Sequence, residues 1–187
     1  DDMGYEWRDN LEEDGPEYQW LDIRGYNGVR EFHLGDDANT GRLEFGWTFP
    51  FWNRSFDGGY ANSDAWFGFT YAGNGYNINP SNYPTAANNN TRDANMILFN
   101  QIDHTAGTDI WFWTNRQDQA IIQWAGNHNR WFELILHSSG YAVMQYGDGM
   151  SNSNCGVNLG DGTHGWYFGN NNPTGRAIAF GPADVWG

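Results

Sequence analysis

The chain has 187 residues, is 39% hydrophobic and 18% aromatic, contains 25 Gly and 23 Asn, and sets 23 acids against 9 bases for a formal charge of −14. That length suits a single domain, the aromatic content excludes a disordered chain, and the acidity argues against nucleic-acid phosphates and anionic membranes as partners. It leaves cations, neutral sugars or further copies of the chain.

Every base is Arg. Without Lys there is no Schiff-base chemistry and no phosphate-binding P-loop. A lone Cys155 gives no intrachain disulfide and no zinc cluster. No apolar run is long enough for a membrane-spanning helix. The start Asp1-Asp2-Met3 reads as a mature end left after signal-peptide removal, which points to an extracellular or cell-surface protein.

In chain order, residues 1–45 hold 13 acids and 4 Arg, a net −9, yet include Tyr5, Trp7, Tyr18, Trp20 and Ile23. This acidic segment (1–40) is expected to pack on the domain or on a neighbouring copy. Tyr18–Ile23 alternates aromatic and polar residues as an edge strand does. Further strands are predicted at Arg42–Phe49, Ala65–Tyr71, Asn95–Phe99, Thr108–Thr114, Gln119–Ala125, Trp131–His137, Ala142–Tyr146, Cys155–Leu159, Gly165–Phe168 and Arg176–Phe180. Asn115–Asp118 and Ser138–Gly140 read as hairpin turns. Gly73–Asn95 reads as one long loop rich in Asn and Gly. No helical periodicity, repeat or linker interrupts the pattern. The expected fold is all-β: a single antiparallel, jelly-roll-like β-sandwich of about ten strands spanning residues 1–187.

Catalytic constellations are sparse. There is no GxSxG, and no HxH or HExxH among His33, His104, His128, His137 and His164. Six of the seven Glu precede residue 45; the seventh, Glu133, lies mid-strand, where a solvent-facing position explains it. A non-enzyme is expected. Oxygen-rich turns suit calcium better than zinc, with Asp36, Asp37 and Asn39 the candidate ligands in the loop 35–41, and with further Asp-Gly turns at 146–149 and 160–163. The same residues also simply make turns. Asn53-Arg54-Ser55 and Asn89-Asn90-Thr91 are glycosylation sequons.

The aromatics carry the strongest functional signal. Eleven Trp exceed what one core holds, so some rings are expected at the surface, where they stack on sugars or bind a protein. Candidate interface residues are Tyr5, Trp7, Trp20 and Trp186, near the ends; candidate sugar-stacking residues are Trp52, Tyr76, Tyr83 and Trp111.

The run Glu44–Asn53, EFGWTFPFWN, resembles the opening "LGFTFPFYGN" of a family of secreted prokaryotic β-sandwich surface modules. Gly4–Asp9 and Gly15–Ile23 look like its leader strands, Arg130–Leu136 like "NTFQVIL", Gly140–Gly147 like "GSIVFQYGD", and Cys155–Asn158 with Asp161-Gly162-Thr163 like "TVGIQ" and its turn. The later strands also resemble the nidogen-like extracellular domain. The resemblance implies a non-catalytic accessory module. Taken with the composition, it predicts an extracellular subunit that assembles with copies of itself into a filament, sheath or surface layer. The alternative is a carbohydrate-binding module that uses exposed aromatics.

Overall fold

A computed structural model describes residues 1–70, 80–86, 96–98, 107–126, 130–149, 155–169 and 173–186. Short runs of β-branched, aromatic and other apolar residues between Gly, Asn and Asp turns form thirteen strands among them. These are β1 (Tyr5–Asp9), β2 (Arg30–Leu34), β3 (Leu43–Phe51), β4 (Arg54–Ala61), β5 (Trp66–Gly68), β6 (Met96–Leu98), β7 (Thr108–Thr114), β8 (Gln119–Gly126), β9 (Arg130–His137), β10 (Ala142–Tyr146), β11 (Cys155–Asn158), β12 (Gly165–Gly169) and β13 (Ala177–Pro182).

All pairings are antiparallel, in a seven-stranded sheet of order β1-β13-β10-β9-β8-β7-β2 and a six-stranded sheet of order β12-β11-β6-β5-β4-β3. The main core lies between them. Phe45, Phe49, Phe51 and Phe67 of one sheet meet Ile122, Trp124, Phe132, Leu134 and Phe180 of the other, all fully buried. This is the expected antiparallel sandwich, and each of the ten predicted strands has a counterpart.

Three strands go beyond those ten. β1 forms one edge of the seven-stranded sheet, against β13. β2 closes the far edge of the seven-stranded sheet, against β7. β4 contains Gly58-Gly59, which reads as a break in a strand. The structure gives a packing reason for Gly59: a Cβ there would lie 2.5 Å from the Phe67 ring and 2.8 Å from the Gly68 carbonyl oxygen.

Tyr18–Ile23 is not an edge strand: residues 18–22 pair with no strand, and a short 3-10 turn begins at Ile23 (Ile23–Gly25). The segment crosses the outer face of the seven-stranded sheet, away from the main core, as part of a strap (residues 10–29) that joins β1 at one edge to β2 at the other. Beneath the strap lies a second apolar cluster of Ile23, Trp111, Ile121, Ile135, Val143, Ala177 and Ala179, with Tyr18, Leu21 and Tyr26 packed on it. The protein therefore has three layers and two cores. Most of Gly73–Asn95 lies outside the described residues; within it the Asn158 amide holds Thr85 through two hydrogen bonds, at 3.1 and 3.2 Å.

Gly59→Ala should lower unfolding stability by about 1–3 kcal/mol, because the nearest carbonyl belongs to a paired strand and cannot retreat. Urea denaturation checks this; a midpoint equal to wild type would mean that β4 is not held against β5 as described.

Candidate functional site

The strap hangs on three polar side chains. Gln145 on β10, Glu133 on β9 and Gln123 on β8 are direct cross-strand neighbours, and all three are at most 1% exposed. Each accepts one backbone N–H: Gln19 N donates to Gln145 Oε1 (2.7 Å), Leu21 N to Glu133 Oε1 (3.2 Å) and Ile23 N to Gln123 Oε1 (3.1 Å). Gln145 Nε2 donates back to the Gln19 carbonyl (2.7 Å) and to Glu133 Oε1 (3.0 Å). Two residues of extended chain advance about 6.6 Å while strands lie about 4.8 Å apart, so the strap crosses the sheet obliquely, one alternate residue to each strand.

Glu133 thus corrects the expectation of a solvent-facing residue. The strap covers it, and loss of water pushes its carboxyl up to about 8, against the pull of the Leu21 and Gln145 hydrogen bonds. Its Oε2 is buried with no hydrogen-bond partner among the described residues, an environment that suits the neutral acid.

Alternation along the strap then builds a groove. The even-numbered residues Tyr18, Trp20, Asp22 and Arg24 form one wall, and Trp131, Gly147 and Asp148 the other, around a volume of about 420 Å³. Trp20 meets Trp131 edge-on at 6.3 Å, and Trp131 in turn lies parallel to Trp111 at 6.1 Å. Gly147 makes that approach possible: a Cβ would lie 2.8 Å from Trp131 Cβ and 3.1 Å from Trp20 Cζ3. Arg24 lies 4.9 Å over the Trp131 ring and is fixed by a two-pronged pair to Asp22, at 2.7 and 2.5 Å. That pair holds the Asp22 carboxyl down at about 2, so it is ionised at any ordinary pH. Half-buried Trp20 and Trp131 beside the exposed carboxylate of Asp148 present ring and hydrogen-bonding groups in one concavity.

Of the other predicted residues, most are held by the chain's own rings. Tyr5 is 5% exposed and stacks on Trp52, itself 7% exposed, at 5.1 Å. Tyr83 and Trp111 are likewise buried. Burial corrects the expectation that Tyr5, Trp52, Tyr83 and Trp111 offer a free face. Trp7 packs on Phe168 at 4.9 Å, and Trp186 meets Tyr141 edge-on at 5.3 Å with Arg8 over its ring. Tyr76 lies outside the described residues, as do His104, His128 and Asn89. Of the seven that are described, Trp20 alone lines the groove. Its partners Trp131 and Asp148 were not singled out as sugar ligands, because nothing local in sequence links a strand Trp to a strap more than a hundred residues earlier.

The predicted cation loop is partly assembled. Asp36 and Asp37 bring carboxylate oxygens within 4.8 Å of one another and of Asp64, which is 2% exposed. Asn39 lies two residues on from Asp37, and its Oδ1 accepts the Gly41 N–H at 2.8 Å. Three carboxylates are a donor set a hard cation suits, and Asp64 is the member the sequence reading did not include. Asp161, from another predicted turn, accepts the Thr163 and His164 N–H groups, each at 2.8 Å, and so makes a turn.

His164 bonds carboxylates through both ring nitrogens, Asp161 Oδ2 at 2.5 Å on Nδ1 and Asp2 Oδ1 at 2.8 Å on Nε2. These bonds raise its pKa. Thr163 Oγ1 approaches the same Nδ1 at 2.8 Å, so the hydroxyl and Asp161 compete for one nitrogen. A nucleophile–base–acid relay needs them on opposite nitrogens. Cys155 is fully buried in the main core. No protein-family model, no curated protein and no solved structure matches the chain.

The raised Glu133 carboxyl has a definite consequence. The folded form holds its proton more tightly than the unfolded chain does. Its contribution to stability is therefore complete below about pH 4.5 and is lost as pH rises to about 8; the full change is on the order of 5 kcal/mol. Glu133→Gln keeps the acceptor without the titration. The stability curves of wild type and variant should diverge across that window and run parallel above it, with the His164 contribution common to both. Urea midpoints across pH test this, and parallel curves throughout would remove the titration from Glu133.

Proposed function

We propose that this chain is a non-catalytic, extracellular β-sandwich module that binds neutral carbohydrate in the groove between the strap and β9. The observation that carries the reading is the Trp20–Trp131 corner, with Gly147 beneath it and the carboxylates of Asp22 and Asp148 at its rim. Indole faces stack on the apolar faces of sugar rings, and nearby carboxylates accept hydroxyl hydrogen bonds.

Charge selects the class. Asp22 is neutralised by Arg24, which leaves Asp148 as the net charge of the groove on a chain of −14. Uronates and sulfated sugars would be repelled; uncharged polymers would not. Glu133 is not part of the groove lining, so a glycosidase reading, which needs a carboxylic acid at the scissile oxygen, draws no support from its raised pKa. The surface-module resemblance is in keeping with a binding role. Self-assembly through Tyr5, Trp7 and Trp186 draws less support, because those rings are packed against Trp52, Phe168 and Tyr141 of the same chain.

Affinity electrophoresis in gels carrying neutral polysaccharides should retard the wild type. Trp20→Ala should weaken retention at least about tenfold, or about 1.4 kcal/mol, with little loss of stability because the ring is half exposed. Unretarded migration of wild type in every neutral polymer, or full retention of Trp20→Ala, would overturn the assignment.

A further inference from the structure

Outside the groove, one site departs from the acidic character of the molecule. Arg30, Arg42 and Arg116, three of the nine bases, line a cleft of about 360 Å³ with Glu44 and Thr114. It opens where the edge strand of one sheet, β2, comes near the edge strand of the other, β3. The cleft is built: Thr114 Oγ1 donates to the Phe45 carbonyl at 2.6 Å and accepts the Arg116 N–H at 2.9 Å, which pins the β7–β8 turn against β3. Arg42 is paired with Asp57, whereas Arg30 and Arg116 make no ion pair among the described residues. Guanidinium groups in this arrangement suit carboxylates.

The matching surface lies on the same chain. The loop after β1 carries Leu11, Glu12, Glu13 and Asp14, all exposed. Leu11 is 83% exposed, far more than any other large apolar side chain described. The carboxylates of Glu12, Glu13 and Asp14 make no ion pair among the described residues.

Position joins the two. One cross-strand row runs Asp9–Ile178–Met144–Leu134–Ile122–Phe112–Arg30 across the whole seven-stranded sheet. The acidic loop leaves one end of that row and the arginine cleft begins at the other, about 29 Å away at six strand spacings. The loop cannot reach the cleft of its own chain. A second copy displaced along the row would bring loop and cleft together.

We infer that the acidic loop Leu11–Asp14 of one copy docks in the arginine cleft of the next, giving a head-to-tail contact. Such a contact is heterologous and builds open chains or rings, unlike a self-matched dimer. It goes beyond sugar binding and uses different residues, so either can fail alone.

Salt sets the window. At about 0.1 M the screening length of roughly 10 Å damps repulsion between whole acidic bodies but spares charges in contact, whereas at about 1 M it is roughly 3 Å and the contact itself is lost. Sedimentation velocity of the intact chain should therefore show mass rising with concentration at the lower salt and monomer at the higher. Arg30→Glu with Arg116→Glu should give monomer, and so should Glu12→Arg with Glu13→Arg; all four positions are exposed, and thermal melting verifies that both variants fold. Mixing the two variants should restore association, because each loop then faces an opposite cleft. A wild type that stays monomeric, association that survives either variant, or a mixture that stays monomeric would overturn the inference. So would retention of polygalacturonate by the cleft of a monomeric wild type, which would assign it to an acidic sugar.

Discussion

Three side-chain oxygens bear the strap, and the outer half of the molecule depends on them. A chain laid across the face of a finished sheet cannot use the ladder, because each strand's backbone is already paired with its neighbours. Its N–H groups would be buried without partners, at about 1–3 kcal/mol each. Gln145, Glu133 and Gln123 supply acceptors at successive strands, and the Gln145 amide returns a bond to the strap carbonyl. Without the strap, Trp111, Ile121, Ile135 and Val143 would face water. A carboxylic acid in the middle of this row is tolerated because, held neutral, it places no unpaired charge between the layers.

The groove is a by-product of the same attachment. Once odd-numbered residues 19, 21 and 23 point their N–H groups at the row, chain alternation sends Tyr18, Trp20 and Asp22 to one side, and the 3-10 turn at Ile23–Gly25 with the Asp22 pair brings Arg24 to the same wall. Trp20 then reaches Trp131 over Gly147. A slip of the strap by one residue would exchange the two sets and take the aromatic wall away from Trp131. The register of the strap and the geometry of the groove are therefore one constraint, set by residues that do not line the groove.

Much of the sandwich was legible in the sequence. β7, β8, β9 and β10 are short runs rich in aromatic and β-branched residues between Gly, Asn and Ser turns, and Asn115 and Gly140 mark their hairpins. The strap was misread as an edge strand because a segment buried on one face alternates in the same way wherever its partner lies; only the partner distinguishes them. Glu133 was misread because alternation separates two faces of a sheet but does not reveal that both are covered. Gly58-Gly59 concealed β4, since the Phe67 ring that needs the space of Gly59 comes eight residues later. The Asp64 neighbour of Asp36 and Asp37 was hidden by the distance along the chain.

The surplus of aromatic residues has a structural reading that differs from surface display. Thirty-three rings exceed the needs of one core, and a single sandwich core would leave many at the surface. Two cores absorb them: Phe45, Phe49, Phe51, Phe67, Trp124 and Phe132 between the sheets, and Tyr18, Tyr26, Trp111, Trp113 and Trp131 under and beside the strap. Few large apolar side chains are then left open to water among the described residues: Met3, Leu11 and Tyr167. Rings available to a ligand occur where the second core reaches the margin of the strap, at Trp20 and Trp131. There Trp131 keeps one part against the second core and another in the groove, and Trp20 meets it edge-on, so the packing that stabilises the third layer also fixes the stacking surface before any ligand arrives.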